Sequence, residues 1–251
     1  MARLNRFQYG LDMKPHEFAI EVDGRQVPVA VWKPFNTPGP RPLALVGHGG
    51  SGHKTSQLVL DIVERLVAKH GFVVAAIDGP VHGSRRAVFE HGPKVRDEFR
   101  ELWARGDSVG PMVADWRATL DKLCAMPEVD ASAIGWYGIS MGTAYGLPFV
   151  AAEPRIRAAV LGMWGTDREP RERLERDAAQ VRVPVLFQQK ADDAIFSDAG
   201  QRDLFTRLAS LDREHIIYAG GHTDPAGEQL DDIVDFLVTR LKARPQPASP
   251  R

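Results

Sequence analysis

Short apolar runs that alternate with segments of helical periodicity constrain this chain more than any other feature. The run 72–77, Phe-Val-Val-Ala-Ala-Ile, is continuously apolar, the mark of a strand buried on both faces. Before it, 17–22 and 27–34 are β-rich runs separated by Asp23-Gly24, a hairpin signal, and 43–47 is a third short run ending in glycines. The spacing of Leu58, Ile62 and Leu66 marks 58–68 as a helix that closes at Gly71. The alternation continues with helix 112–125, strand 133–139, helix 141–152, strand 157–163 and helix 169–180. It ends with strand 183–189, helix 198–210, strand 214–219 and helix 226–242. Two opening strands followed by repeated strand–helix units imply an α/β fold: a mostly parallel, eight-stranded sheet covered by helices on both faces.

One segment breaks the rhythm. Within the insertion 84–110, Val95, Phe99, Leu102 and Trp103 sit at helical spacing. That spacing fits best a surface helix burying its apolar side, with a small cap over a cleft as the alternative. No internal repeat or linker divides the chain, so 1–243 reads as one domain. The Pro-rich, polar stretch 244–251 reads as a disordered tail.

Composition removes whole classes of function. Lys and Arg total 32 against 33 for Asp and Glu, a net charge of -1, so the chain carries no electrostatic footprint for nucleic acid. Cys124 is the single cysteine, which excludes a disulfide framework or an all-cysteine metal site. No histidine pair has helical ligand spacing, so neither metal nor cofactor is expected. The first seven residues lack the apolar stretch of a secretory signal, and the longest apolar run falls far short of a membrane span. A cytoplasmic protein without a membrane partner is the expectation.

The strongest chemical signal is Gly138-Ile139-Ser140-Met141-Gly142. It follows an apolar strand and opens a helix, as a nucleophile elbow requires. The flanking glycines let a serine sit on a sharp turn where side chains would clash with neighbouring backbone. A serine alone is a poor nucleophile and needs a base held by a third group. His222 lies in a loop after strand 214–219, and Asp192-Asp193 ends strand 183–189. The order Ser, Asp, His, each at a strand's C-terminal end, is the one expected on an α/β-hydrolase sheet.

On these residues the chain resembles the α/β-hydrolase superfamily, in its dienelactone-hydrolase-like and esterase branch, over nearly all of 18–241. The resemblance implies Asp193 as the acid, because Lys190-Ala191-Asp192-Asp193-Ala194-Ile195-Phe196 fits the family's G-x-x-D-x-x-V pattern with Lys190 in place of glycine. It also implies that His48-Gly49-Gly50, after the third strand, is an oxyanion loop whose Gly50 N–H works with the Met141 N–H. A second departure is Pro148, expected to kink the helix after the elbow. Trp164 lines the acyl pocket or belongs to the core. His48 is expected to tie the loop to neighbouring backbone, and His82 to stabilise the turn after the fourth strand.

The implied activity is a cofactor-free, carboxylesterase-like serine hydrolase acting on a small ester or lactone, with oligomeric state left open. The same triad also serves an amidase or short-peptide hydrolase. A third reading comes from Gly47-His48-Gly49-Gly50-Ser51-Gly52-His53-Lys54-Thr55, which nearly spells a phosphate-binding G-x-x-x-x-G-K-[ST] loop. His53 stands where the lysine must follow the glycine, and one inserted residue breaks the register of the amides that cradle phosphate.

Overall fold

The computed structural model describes residues 14–35 and 38–242, so the expected tail at 244–251 lies outside the described residues. The chain opens with β1 (His16–Val22) and β2 (Arg25–Trp32), paired antiparallel. Asp23 and Gly24 join them with φ of 48° and 76°, the two left-handed positions that a two-residue type I′ turn demands. Six further strands follow: β3 (Arg41–Gly47), β4 (Val73–Ile77), β5 (Val129–Gly138), β6 (Ile156–Gly162), β7 (Val185–Lys190) and β8 (Arg213–Tyr218). They form one eight-stranded sheet in the order β1-β2-β4-β3-β5-β6-β7-β8. Pairing is parallel from β4 through β8 and antiparallel at β1–β2 and β2–β4.

Among the described residues, seven α-helices cover the sheet: α1 (Gln57–Val63), α2 (Pro93–Ala104), α3 (Val109–Cys124), α4 (Met141–Ala152), α5 (Glu172–Ala178), α6 (Asp198–Arg207) and α7 (Glu228–Lys242). The periodicity at 58–68 covers both α1 and the π-helical turns Glu64–Lys69 that extend it. On one face, Leu58, Ile62 and Leu66 pack with Ile233 and Leu237 of α7. On the other, α3, α4, α5 and α6 bury residues such as Trp116, Phe149, Leu174 and Leu204. Every strand position in β4 is buried, as its unbroken apolar sequence requires. In α4 every residue from Met141 to Val150 is buried, and the helix runs past Pro148 to Ala152.

The insertion at 84–110 holds a short 3-10 turn (Gly83–Arg85) and then α2. Val95, Phe99 and Trp103 form the buried side of α2, while Phe99 and Trp103 also border the cleft described below. Phe99 and Trp103 thus belong at once to the packed side of α2 and to the border of the cleft.

Because β3 lies between β4 and β5, the chain crosses to one side of β3 and then returns to the other. Such a reversal opens a crevice beyond the C-terminal ends of the strands, where ligands collect in α/β sheets. Gly47 at the end of β3 pairs with Gly138 at the end of β5, so two glycine-rich turns leave the sheet side by side. Among the described residues, no helix is long and apolar enough to cross a membrane.

Candidate active site

The turn after β5 is built by excluding side chains. A Cβ on Gly138 would lie 2.7 Å from the Gly142 carbonyl oxygen, and one on Gly142 would lie 2.9 Å from that of Gly47. With these contacts closed, Ser140 takes φ 55° and ψ −123°, a costly conformation for a residue with a side chain. Neighbouring groups hold it there. The Ser140 N–H donates to Gly162 O at 2.9 Å, and the Thr143 and Ala144 N–H groups donate to Ser140 O at 2.8 and 3.1 Å. Thr143 Oγ1 accepts from the Gly162 N–H at 2.8 Å, stitching β6 to the turn.

The raised hydroxyl meets the two residues that sequence order paired with it. Ser140 Oγ lies 2.9 Å from His222 Nε2, and His222 Nδ1 lies 2.8 Å from Asp193 Oδ2. A carboxylate only accepts, so Nδ1 carries the imidazole proton and Nε2 offers its lone pair to the serine hydroxyl. The other Asp193 oxygen accepts from the Ile195 and Phe196 N–H groups at 2.8 and 3.1 Å. Burial alone would raise the Asp193 carboxyl, whose side chain is 1% exposed, but the bonds from His222 and these two amides hold it below its ordinary value. Asp192, its neighbour, is exposed.

Ser140 and His222 border a cleft of about 240 Å³ together with Gly49, Gly50 and Ser51. Met141 opens α4, where the first N–H groups have no partner within the helix. Trp164 is both core and wall: it is buried, and it faces the cleft beside Phe196 at 4.5 Å and Trp103 at 5.1 Å between ring centres. Sequence reasoning did not single out Phe196, Arg96, Arg100, Arg168 or Asp224, which also border the cleft. Phe196 stands inside the quoted acid pattern and Asp224 two residues after His222, so proximity in sequence was an available signal for both. The arginines carried none.

Lys54 corrects the nucleotide-binding reading. Its ammonium lies 3.2 Å from Asp78 Oδ2 and 2.9 Å from Ser84 Oγ. Asp78 also accepts from the Lys54 and Ser84 N–H groups, each at 2.9 Å. Lys54 and Asp78 are 4% and 0% exposed. A phosphate-binding lysine must reach over its glycine loop, whereas this one is turned inward onto a buried carboxylate. Asp78, the candidate magnesium aspartate of that reading, is correspondingly occupied.

Two buried histidines back the same loop. His48 Nε2 accepts from the Gly79 N–H at 2.9 Å, so its proton sits on Nδ1, which lies 2.8 Å from Gly49 O. His82 Nε2 lies 3.0 Å from Gly50 O. Burial lowers both from 6.5, His48 to about 4 and His82 to about 3, so both rings are neutral at ordinary pH. Cys124 is a free thiol whose proton affinity is raised by burial. Among the described residues, no group of three or more His, Cys, Asp or Glu side chains is placed to hold a metal ion.

With this geometry in hand, known proteins offer clear relatives. The sequence model of the dienelactone hydrolase family matches residues 29–222. A cold-adapted esterase from an Arctic intertidal metagenomic library, in its PEG-bound form, is 34% identical; the match covers 90% of this chain and 93% of that one, with a TM-score of 0.79. The crystal structure of 2,6-dihydroxy-pseudo-oxynicotine hydrolase shares the fold, with a TM-score of 0.69 at 21% identity over 91% of this chain and 68% of that one. The curated 2,6-dihydropseudooxynicotine hydrolase of Paenarthrobacter nicotinovorans is 29% identical over 146 residues, 58% of this chain. That match spans 34% of the relative's own length.

Proposed function

The chain belongs to the dienelactone hydrolase family and is a hydrolase of α/β-hydrolase fold, and on that premise we propose that it cleaves a small carboxylic ester or lactone through an acyl-serine intermediate. One observation carries the reading: the unbroken hydrogen-bonded relay from Ser140 Oγ through His222 to Asp193, opening on a cleft walled by aromatic side chains. The esterase activity of a relative sharing 34% of its residues points the same way.

In this mechanism Ser140 Oγ attacks the substrate carbonyl carbon while its proton passes to His222 Nε2. Asp193 keeps the imidazole in the tautomer that accepts that proton and stabilises the imidazolium that results. The Gly50 and Met141 N–H groups bind the tetrahedral oxyanion, each such donor lowering the barrier by about 3 kcal/mol. As the oxyanion collapses, the bond to the leaving oxygen breaks and His222 returns the proton to it. Water then attacks the acyl-serine with His222 again as base, releasing the acid and restoring the serine hydroxyl. A lactone follows the same steps and yields a hydroxy acid.

A panel of short-chain esters, lactones and matched amides tests this. Turnover of esters or lactones by the native chain, absent in Ser140→Ala, is the expected result. Undiminished ester hydrolysis in Ser140→Ala would remove the mechanism.

A further inference from the structure

The oxyanion assignment leaves open what aims the Gly50 amide. A peptide unit is planar and trans, so the carbonyl of one residue and the N–H of the next point in opposite directions. Fixing the Gly49 carbonyl therefore fixes the Gly50 N–H, and fixing the Gly50 carbonyl fixes the Ser51 N–H. Three successive carbonyls of this loop are held. Gly49 O accepts from the Gly52 N–H at 3.0 Å and from His48 Nδ1 at 2.8 Å. Gly50 O accepts from His82 Nε2 at 3.0 Å, and Ser51 O from the Gly92 N–H at 2.8 Å. Both histidines are buried, whereas the loop itself borders the cleft with Ser140.

His82 is held for this contact at a cost. Its Nδ1 is buried and has no hydrogen-bond partner among the described residues, an arrangement that disfavours the folded state and that a purely apolar side chain would avoid. The turn that delivers it is wound tightly. A Cβ on Gly79 would come within 2.6 Å of His82 Nδ1, and one on Gly83 within 2.2 Å of the Asp78 carboxylate. The same turn supplies the Gly79 N–H that sets the tautomer of His48. One short segment thus controls the donors to both carbonyls that flank the Gly50 amide.

We propose that His82, working with His48, is a positioning residue for the oxyanion hole: His48 holds the Gly49 carbonyl, whose peptide carries the Gly50 N–H, and His82 holds the Gly50 carbonyl in the next peptide, so that both peptide planes joined at the Gly50 Cα are fixed and the Gly50 N–H faces the Ser140 hydroxyl. This rests on the serine-hydrolase reading and extends it to residues that do not touch substrate. An interaction that matters only once the oxyanion forms lowers kcat and leaves KM nearly unchanged.

The test compares the native chain with His82→Phe, which removes the donor but keeps a ring, and His82→Gln, whose amide nitrogen can replace Nε2. With a short-chain nitrophenyl ester, His82→Phe should lose about tenfold or more in kcat with KM within about threefold, less than outright deletion of a donor. His82→Gln should recover most of that loss. In the native chain labelled with nitrogen-15 glycine, the Gly50 amide signal should shift when an alkylboronic acid forms its tetrahedral adduct. Unchanged kcat in His82→Phe, equal losses in the two variants, or a rise in KM at constant kcat would overturn the proposal. So would a Gly50 signal indifferent to the boronate, which decides the matter even if His82→Phe does not fold. A native chain that neither hydrolyses the ester nor binds the boronate would overturn the serine-hydrolase reading and this proposal together; an active native chain with an indifferent His82→Phe overturns this proposal alone.

Discussion

The two glycine-rich turns that leave β3 and β5 sit side by side, and they are shaped by opposite means. The turn at Ser140 is shaped by exclusion: backbone stands where side chains of Gly138 and Gly142 would go, and the serine is left in a strained left-handed conformation. The turn at Gly49–Gly52 is shaped by attachment. Its carbonyls are held by His48, His82 and Gly92, and its far end is anchored where Lys54 meets Asp78. Arg85 carries that anchor further, bonding Asp78 O at 2.9 Å and the buried Asp115 of α3 at 2.7 Å. Steric exclusion here is set by backbone atoms, Gly142 O and Gly47 O, and so does not depend on any distant side chain. Apart from the adjacent His48, attachment depends on partners 24 residues away (Asp78 to Lys54), 32 away (His82 to Gly50) and farther still (Gly92 to Ser51), and it fails when any of them is removed.

The contrast can be broken experimentally, beginning with the largest effect. Ser140→Ala should lower ester turnover by roughly 10⁴-fold or more, yet leave urea stability within about 0.5 kcal/mol, since the turn's shape comes from its glycines. A large stability loss would show that the hydroxyl itself shapes the turn. Lys54→Met leaves the Asp78 carboxylate buried beside an apolar side chain, and the expected loss is about 3–5 kcal/mol in urea denaturation. A loss below about 1 kcal/mol would mean that the loop, like the elbow, is held by local geometry. Gly142→Ala presses a methyl onto Gly47 O and should cost about 1–3 kcal/mol, together with activity, because it displaces both turns at once.

The smallest effect is a slope in pH. His48 and His82 have folded values depressed to about 4 and about 3 from 6.5, so their contribution is complete above pH 6.5 and drains away as acid protonates the unfolded chain first. Each should add about 1.4 kcal/mol of destabilisation per pH unit between 6.5 and its folded value. His82→Gln should remove one such increment from the slope, measured by denaturation between pH 6 and 4. An unaltered slope would mean that His82 is protonated as readily in the folded chain as outside it.

The same difference explains what could be read from sequence. The eight strands and the elbow follow from apolar runs and glycine spacing, properties of contiguous residues. Thus 43–47 became Arg41–Gly47 and 141–152 became Met141–Ala152 with little adjustment. Helix ends fared less well: 169–180 shortened to Glu172–Ala178. The glycine loop was ambiguous because its resemblance to a phosphate cradle lies in its own letters, while what decides against that cradle, Lys54 turning onto Asp78, spans 24 residues. The insertion showed its helix through the spacing of Val95, Phe99 and Trp103, but its place over the cleft depends on Gly50, whose Cβ would lie 3.1 Å from the Phe99 ring. Periodicity reports which face is apolar and not what that face will meet.

The central claim is that Ser140 is a nucleophile activated by His222. Treating the native chain with a fluorophosphonate and locating the adduct by peptide mass spectrometry tests it directly. The account predicts a single adduct on the peptide carrying Ser140, formed at stoichiometry with loss of ester hydrolysis and absent in Ser140→Ala. An adduct on another residue, or hydrolysis that continues after Ser140 is fully modified, would contradict it.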